Sequence, residues 1–94
     1  MFSVYILKSV KLNRFYIGTT DNVQRRIIEH NSKSFKNAFT SRGIPWVLVL
    51  SIDNLSSQQA YKIERHIKNM KSKKYIENLC LNPDVVFNLT HRFA

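Results

Sequence analysis

Phe2-Ser3-Val4-Tyr5-Ile6-Leu7 alternates strictly, with Phe2, Val4 and Ile6 on one side and Ser3, Tyr5 and Leu7 on the other. A period of two is the signature of a strand. The next strand-like run, Arg14-Phe15-Tyr16-Ile17-Gly18, follows a polar segment containing Lys8, Lys11 and Asn13. The two runs therefore predict a hairpin closed by a loop rather than a tight turn. Tyr5 and Tyr16 then share a face, provided that no bulge shifts the register.

Beyond the hairpin, Asp21 or Thr20 is placed to cap a helix over about 21–31, because Gln24 stands three residues after Asp21 and Val23 and Ile27 repeat at i, i+4. Arg26 and His30 are also four apart, so they stand one above the other on one helical face. Residues 32–45 carry Ser, Asn, Lys, Gly43 and Pro45 with little periodicity, the pattern of a basic loop with at most a short helical turn. Trp46 to Ile52 (WVLVLSI) is apolar nearly throughout, as expected of a central strand covered on both faces.

A second helix starts near Ser56, with Gln59 completing a capping-box pattern, and sets Ala60, Ile63, Ile67 and Met70 along one stripe bordered by Glu64. A third helix, over about 72–80, offers Tyr75, Ile76 and Leu79 as apolar contacts, and Pro83 opens a short tail with Val85, Val86 and Phe87. No repeat, linker or low-complexity tract divides the chain, so one domain over 1–94 is expected. Its class is α/β of the α+β type: a three-stranded, mainly antiparallel sheet flanked by helices.

Charge points to the partner. Fifteen Lys and Arg against six Asp and Glu give a net +9 in 94 residues, an excess that concentrates polyanions by long-range attraction and counterion release. Nucleic acid is the leading expectation, and no long basic amphipathic helix with an apolar Trp/Phe/Leu face suggests a membrane surface. Lys33, Lys36, Arg42, Lys71, Lys73 and Lys74 are the expected phosphate contacts. A single cysteine, Cys80, rules out an internal disulfide and a cysteine-based zinc site. With no signal-peptide pattern at Met1-Phe2-Ser3-Val4-Tyr5 and no apolar run of membrane-span length, a reducing, cytoplasmic setting is expected.

Taken singly, the polar candidates have bland explanations. Tyr5 and Tyr16 suit an aromatic cross-strand pair, Arg26 and His30 a solvated helix face, and Glu64 a surface ion pair with Lys62, Arg65 or Lys68. His66 and His91 have only such explanations. What reverses the odds is the ordered set: Val4-Tyr5-Ile6, then Tyr16-Ile17-Gly18, then Asp21-Asn22-Val23-Gln24-Arg25-Arg26-Ile27-Ile28-Glu29-His30-Asn31, then Ala60-Tyr61-Lys62-Ile63-Glu64.

That set resembles the GIY-YIG nucleases, in particular their small stand-alone bacterial members, over about the first 80 residues. The resemblance implies a metal-dependent endonuclease acting on DNA, with structured or damaged DNA as substrates and DNA repair as setting. It implies an active site of Tyr5, Tyr16, Gly18, Arg26 and His30, with Glu64 holding one divalent cation, magnesium or manganese. Arg25 competes with Arg26 for the arginine role, and the interval to His30 favours Arg26. Many members carry a supporting asparagine, for which Asn69, Asn78, Asn82 and Asn88 are candidates. The first motif departs from the family pattern in reading Ser3-Val4-Tyr5, which leaves the tyrosine in place. A protein partner for targeting fits a chain with no appended DNA-binding domain.

The residue types suit the chemistry. Phosphodiester hydrolysis needs a water, a proton acceptor, positive charge for the transition state and help for the leaving oxygen. Arg26 presents a fork matched to phosphate oxygens, Glu64 a hard oxygen ligand, and Gly18 a backbone that a phosphate can approach. A phenol acting as base needs a nearby cation to lower its pKa, and Tyr5, helped by Tyr16 or His30, is the expected base. The alternative is a nucleic-acid-binding module of the same fold with little or no catalysis.

Overall fold

Val4, Tyr5, Ile6 and Leu7 have no exposed surface, and the reason is their position in the sheet. In the computed structural model, which describes residues 1–32 and 41–94, strand β1 (Phe2–Ser9) lies between β2 (Arg14–Thr20) and β3 (Trp46–Leu55). Both neighbours run antiparallel to it. In the β1–β2 hairpin Tyr5 stands opposite Gly18 and Leu7 opposite Tyr16, so Tyr5 and Tyr16 share a face as the alternation predicts. The three-stranded α+β architecture expected from the sequence is the one observed.

Helices cover both faces. Helix α1 (Val23–Asn31) packs beside the face bearing Tyr5, Leu7 and Trp46, together with Tyr16, Val23, Ile27 and Leu48. Against the other face, Val4, Ile6, Ile52 and Leu55 meet α2 (Ser57–Met70), α3 (Lys73–Leu81) and α4 (Pro83–Arg92) through Ala60, Ile63, Ile67, Ile76, Leu79 and Leu89. Each fully buried Ile or Leu contributes about 1.5–3 kcal/mol. The second face thus carries most of the apolar stabilisation, and the first is left able to hold polar groups.

Several expectations are corrected. The strand at 46–52 is an edge strand, not the central one: an apolar run reports cover above and below and says nothing about lateral neighbours. Leu48 faces α1 while Val49, Leu50 and Ile52 face the other helices, with a register irregularity opposite Ile6 and Leu7. The cap of α1 is Asn22, whose side chain accepts from the Arg25 amide at 3.0 Å, rather than Asp21 or Thr20. Ser56 does cap α2, accepting from the Gln59 amide at 3.1 Å, but the Gln59 side chain reaches to the Thr90 carbonyl instead of closing the box. Met70, the last residue of α2, is 45% exposed and leaves the stripe where the chain turns through a left-handed Lys71.

The segment read as a tail is helix α4. Pro83 starts it, at a position where the missing N–H has no helical partner to lose. Asp84 in the first turn and His91 and Arg92 in the last complement the helix dipole, while Leu89 is buried and Val85, Val86 and Phe93 pack around it. Leu89→Ala should therefore lower stability by about 2–4 kcal/mol, measured by urea denaturation. A change under about 0.5 kcal/mol, the usual effect of a surface substitution, is the result a loose tail would give.

Candidate active site

The phenol of Tyr5 lies across the backbone of Gly18. A Cβ built at Gly18 would stand 2.5 Å from Tyr5 Oη and 2.6 Å from its Cζ. The glycine is required by space and not by backbone twist, since its φ is not positive. The bare backbone that the sequence assigned to a phosphate is thus filled by Tyr5 itself. Tyr16 lies beside it with ring centroids 6.3 Å apart, and sits edge-on to His30 at 4.5 Å. Trp46 closes this aromatic group, 6.2 Å from Tyr16 and 6.5 Å from His30.

Helix α1 delivers Arg26 and His30 to the same place. Its last residue, Asn31, fastens it to β3 by two hydrogen bonds: the amide Nδ2 donates to the Trp46 carbonyl at 2.9 Å, and the Trp46 N–H donates to Asn31 Oδ1 at 2.6 Å. His30 is fully buried, and its Nε2 is 3.1 Å from Tyr5 Oη. The Arg26 guanidinium lies near the Tyr5 phenol, where its charge favours the ionised phenol, and its Nη1 donates to Glu29 Oε1 at 3.1 Å. Arg25, by contrast, pairs with Asp21 in solvent, so Arg26 is the arginine at the site.

The Tyr5 hydroxyl and His30 Nε2 share one hydrogen bond, in which the phenol donates when the imidazole carries its ring proton on Nδ1. Burial pushes the His30 imidazole below its ordinary 6.5, and the Arg26 charge pushes the same way against the opposing Glu29. Burial also raises the Tyr5 phenol above its ordinary 10.0, opposed by Arg26 and reinforced by Tyr16 and Glu64. At neutral pH the pair is a protonated phenol and a neutral imidazole. His30 Nε2 is then a neutral proton acceptor within hydrogen-bond reach of the Tyr5 phenol.

Glu64 comes from α2, on the opposite side of the sheet, and reaches the edge strand β2 at Thr19. The Thr19 hydroxyl donates to Glu64 Oε1 at 2.5 Å, and Lys68 Nζ donates to Oε2 at 2.9 Å. Its charge is still felt at the Tyr5 phenol. Among the described residues no three His, Cys, Asp or Glu side chains come together. A cation would therefore rest on the Glu64 carboxylate, water and substrate oxygens, which suits magnesium better than a metal needing a full protein cage. The residues fit on those terms, because the Lys68 partner is half exposed and exposed ion pairs are weak.

Thr19 and Asn31 are contributors that the sequence reading did not single out. Alternation next to Gly18 puts Thr19 on the α2 side, a signal visible only once the helix is known to lie there. Of the candidate asparagines, Asn78 and Asn82 bond each other near the end of α3, and Asn69 and Asn88 are exposed. Lys33 and Lys36 lie outside the described residues, Arg42 is exposed, and Lys71 and Lys73 line a groove that Lys74 does not share. A depression of about 580 Å³ along α3 includes Lys74, Glu77 and Leu81 and none of the site residues.

Residues 1–76 match the model of the GIY-YIG catalytic domain. The chain belongs to the GIY-YIG nuclease family. It is 34% identical over 80 residues to the uncharacterized protein L300 of Acanthamoeba polyphaga mimivirus, covering 82% of this chain and 48% of that one. It is 36% identical over 74 residues to the structure-specific endonuclease subunit SLX1 of Chaetomium globosum, covering 73% of this chain and 23% of the relative. The corresponding subunit of Debaryomyces hansenii is 33% identical over 84 residues, covering 82% and 24%. The chain thus spans about half the viral relative and about a quarter of the fungal ones. These relatives are viral and fungal, so they carry the family and not a bacterial origin. No solved structure matches the chain significantly.

Two outcomes follow from the GIY-YIG site. Gly18→Ala should cost about 1–3 kcal/mol by overpacking against a ring that cannot retreat, and should break the Tyr5–His30 contact, visible as a changed His30 signal in NMR. Because the folded pKa of His30 is depressed, the unfolded chain binds a proton that the fold refuses as pH falls below 6.5. Stability should then fall with pH below that value, and His30→Gln should flatten the denaturation profile. His66, also depressed by burial and by Arg92, should leave part of the slope.

Proposed function

We propose that this domain is a metal-dependent endonuclease that hydrolyses phosphodiester bonds of DNA, with structured or damaged DNA as its substrates. The observation that carries this reading is the buried Tyr5–His30 hydrogen bond with the Arg26 guanidinium near the phenol. A structural aromatic pair has no need of a depressed imidazole and a guanidinium beside one phenol. The naming of the fungal relatives as structure-specific endonuclease subunits supports both the substrate class and a protein partner. A cytoplasmic setting is proposed with it, on the single cysteine; no helix among the described residues is long and apolar enough to cross a membrane.

Tyr5 is fully buried, while the Arg26 side chain near it is 30% exposed. Arg26 is thus the group an arriving phosphate meets. Moving its guanidinium onto the phosphate oxygens neutralises the charge that grows there and leaves the Tyr5 Oη open to a water. A water can then bond the phenol. As its oxygen attacks phosphorus, its proton passes to Tyr5 Oη and the phenol proton to His30 Nε2, while the phosphorus bond to the leaving oxygen breaks. Glu64 would hold magnesium or manganese, which supplies positive charge to the leaving oxygen.

The test is cleavage of labelled single-stranded, duplex and branched DNA with magnesium or manganese, for wild type, Tyr5→Phe, Arg26→Ala and Glu64→Gln. The variants should bind DNA yet cut at least about 10²–10³-fold more slowly, the loss typical of removing one preorganised group. Tyr5→Phe as active as wild type removes the relay. Wild type that binds without cutting in every metal replaces the enzyme with a binding module.

A further inference from the structure

Arg14, Lys68, Lys71 and Lys73 line a groove of about 360 Å³ between β2 and the junction of α2 with α3. Its floor is apolar, with Phe15, Ile17 and other core side chains beneath the cations. We propose that this groove is a subsite for the sugar-phosphate backbone of the bound nucleic acid, on the strand leading away from the scissile phosphate. The proposal rests on the nuclease reading and adds to it a strand path, with Arg14 and Lys68 as contacts.

Three observations point there. First, the groove is continuous with the site, because Lys68 lines it and also donates to Glu64 at 2.9 Å. A phosphate entering the groove offers Lys68 a second anionic partner next to the carboxylate. Second, Lys71 adopts a left-handed backbone with φ 50° and ψ 40° at the end of α2, where glycine is the unstrained residue. The chain accepts that strain and places a cation at the groove. Third, Lys73 Nζ donates to the Asn13 carbonyl at 2.6 Å, which ties the hairpin loop to the start of α3 and holds Arg14 and Lys73 on one wall. Among the described residues no carboxylate lines the groove itself, and of the four cations Lys68 is the one bonded to a carboxylate, Glu64 at its edge. Spaced cations above an apolar floor suit a chain of phosphates separated by sugars.

The test is fluorescence anisotropy of a labelled branched DNA in EDTA, so that binding is read without cutting, over a series of salt concentrations. The triple variant Arg14→Gln/Lys71→Gln/Lys73→Gln is compared with Lys62→Gln/Arg65→Gln/Arg92→Gln, which removes the same charge from exposed positions outside the groove. The groove variant should bind roughly tenfold or more weakly at low salt, with a log–log salt slope flatter by about 2–3, while the control keeps most of the wild-type slope. Equal losses in both variants, or no measurable binding by wild type, overturn the subsite. Wild type that binds with the groove-dependent slope in EDTA but cuts none of the DNAs when magnesium or manganese is supplied keeps the subsite and removes the nuclease reading.

Discussion

Tyr5 and Gly18 stand opposite each other in the hairpin, and the phenol fills the volume that any side chain at Gly18 would occupy. That contact needs β1 in the middle of the sheet, where Tyr5 is covered on every side, and a neighbour with no Cβ. Once the ring is seated, its hydroxyl has one direction to point, toward α1. Arg26 and His30 are then set by helical spacing, and Asn31 fixes that helix against the start of β3 through Trp46. Each step restricts the next one, and the site is a consequence of packing before it is a matter of charge.

The unequal division of the core makes such a site tolerable. Among the described residues, three helices bury their apolar stripes on one face of the sheet, while α1 and a small aromatic group lie against the other. A buried imidazole and phenol cost free energy unless each finds a partner. Here they partner each other, and the larger cluster on the far side supplies the stability. The same arrangement brings Glu64 from the far side to the sheet edge, where Thr19 holds one of its oxygens and Lys68 the other.

Burial acts oppositely on the two titrating groups, since it disfavours phenolate and imidazolium alike. The outcome is a neutral pair that is poised to move a proton without storing charge. Arg26 supplies the nearby positive charge, and its partial exposure places it between solvent and phenol. The basic groove beside Glu64 extends this field along the sheet edge, toward a partner that carries its charge at regular intervals.

How much of this is legible in the sequence follows from the range of each interaction. Alternation over 2–7 and 14–18 determined the hairpin and the shared face of Tyr5 and Tyr16, because strand periodicity is a local property of the chain. The four-residue interval determined that Arg26 and His30 share a helical face, and composition determined the net charge of +9. The sequence alone left the lateral order of the strands open, because an apolar run at 46–52 looks the same at an edge or at the centre. It hid α4, since Pro83 ends one helix and begins the next with equal ease. Only the tertiary structure decided why Gly18 is glycine, that Thr19 holds Glu64, and that the phenol pKa rises while the imidazole pKa falls. Those facts depend on atoms distant in sequence meeting in a space without water, and burial of that kind is written in no single segment of the chain.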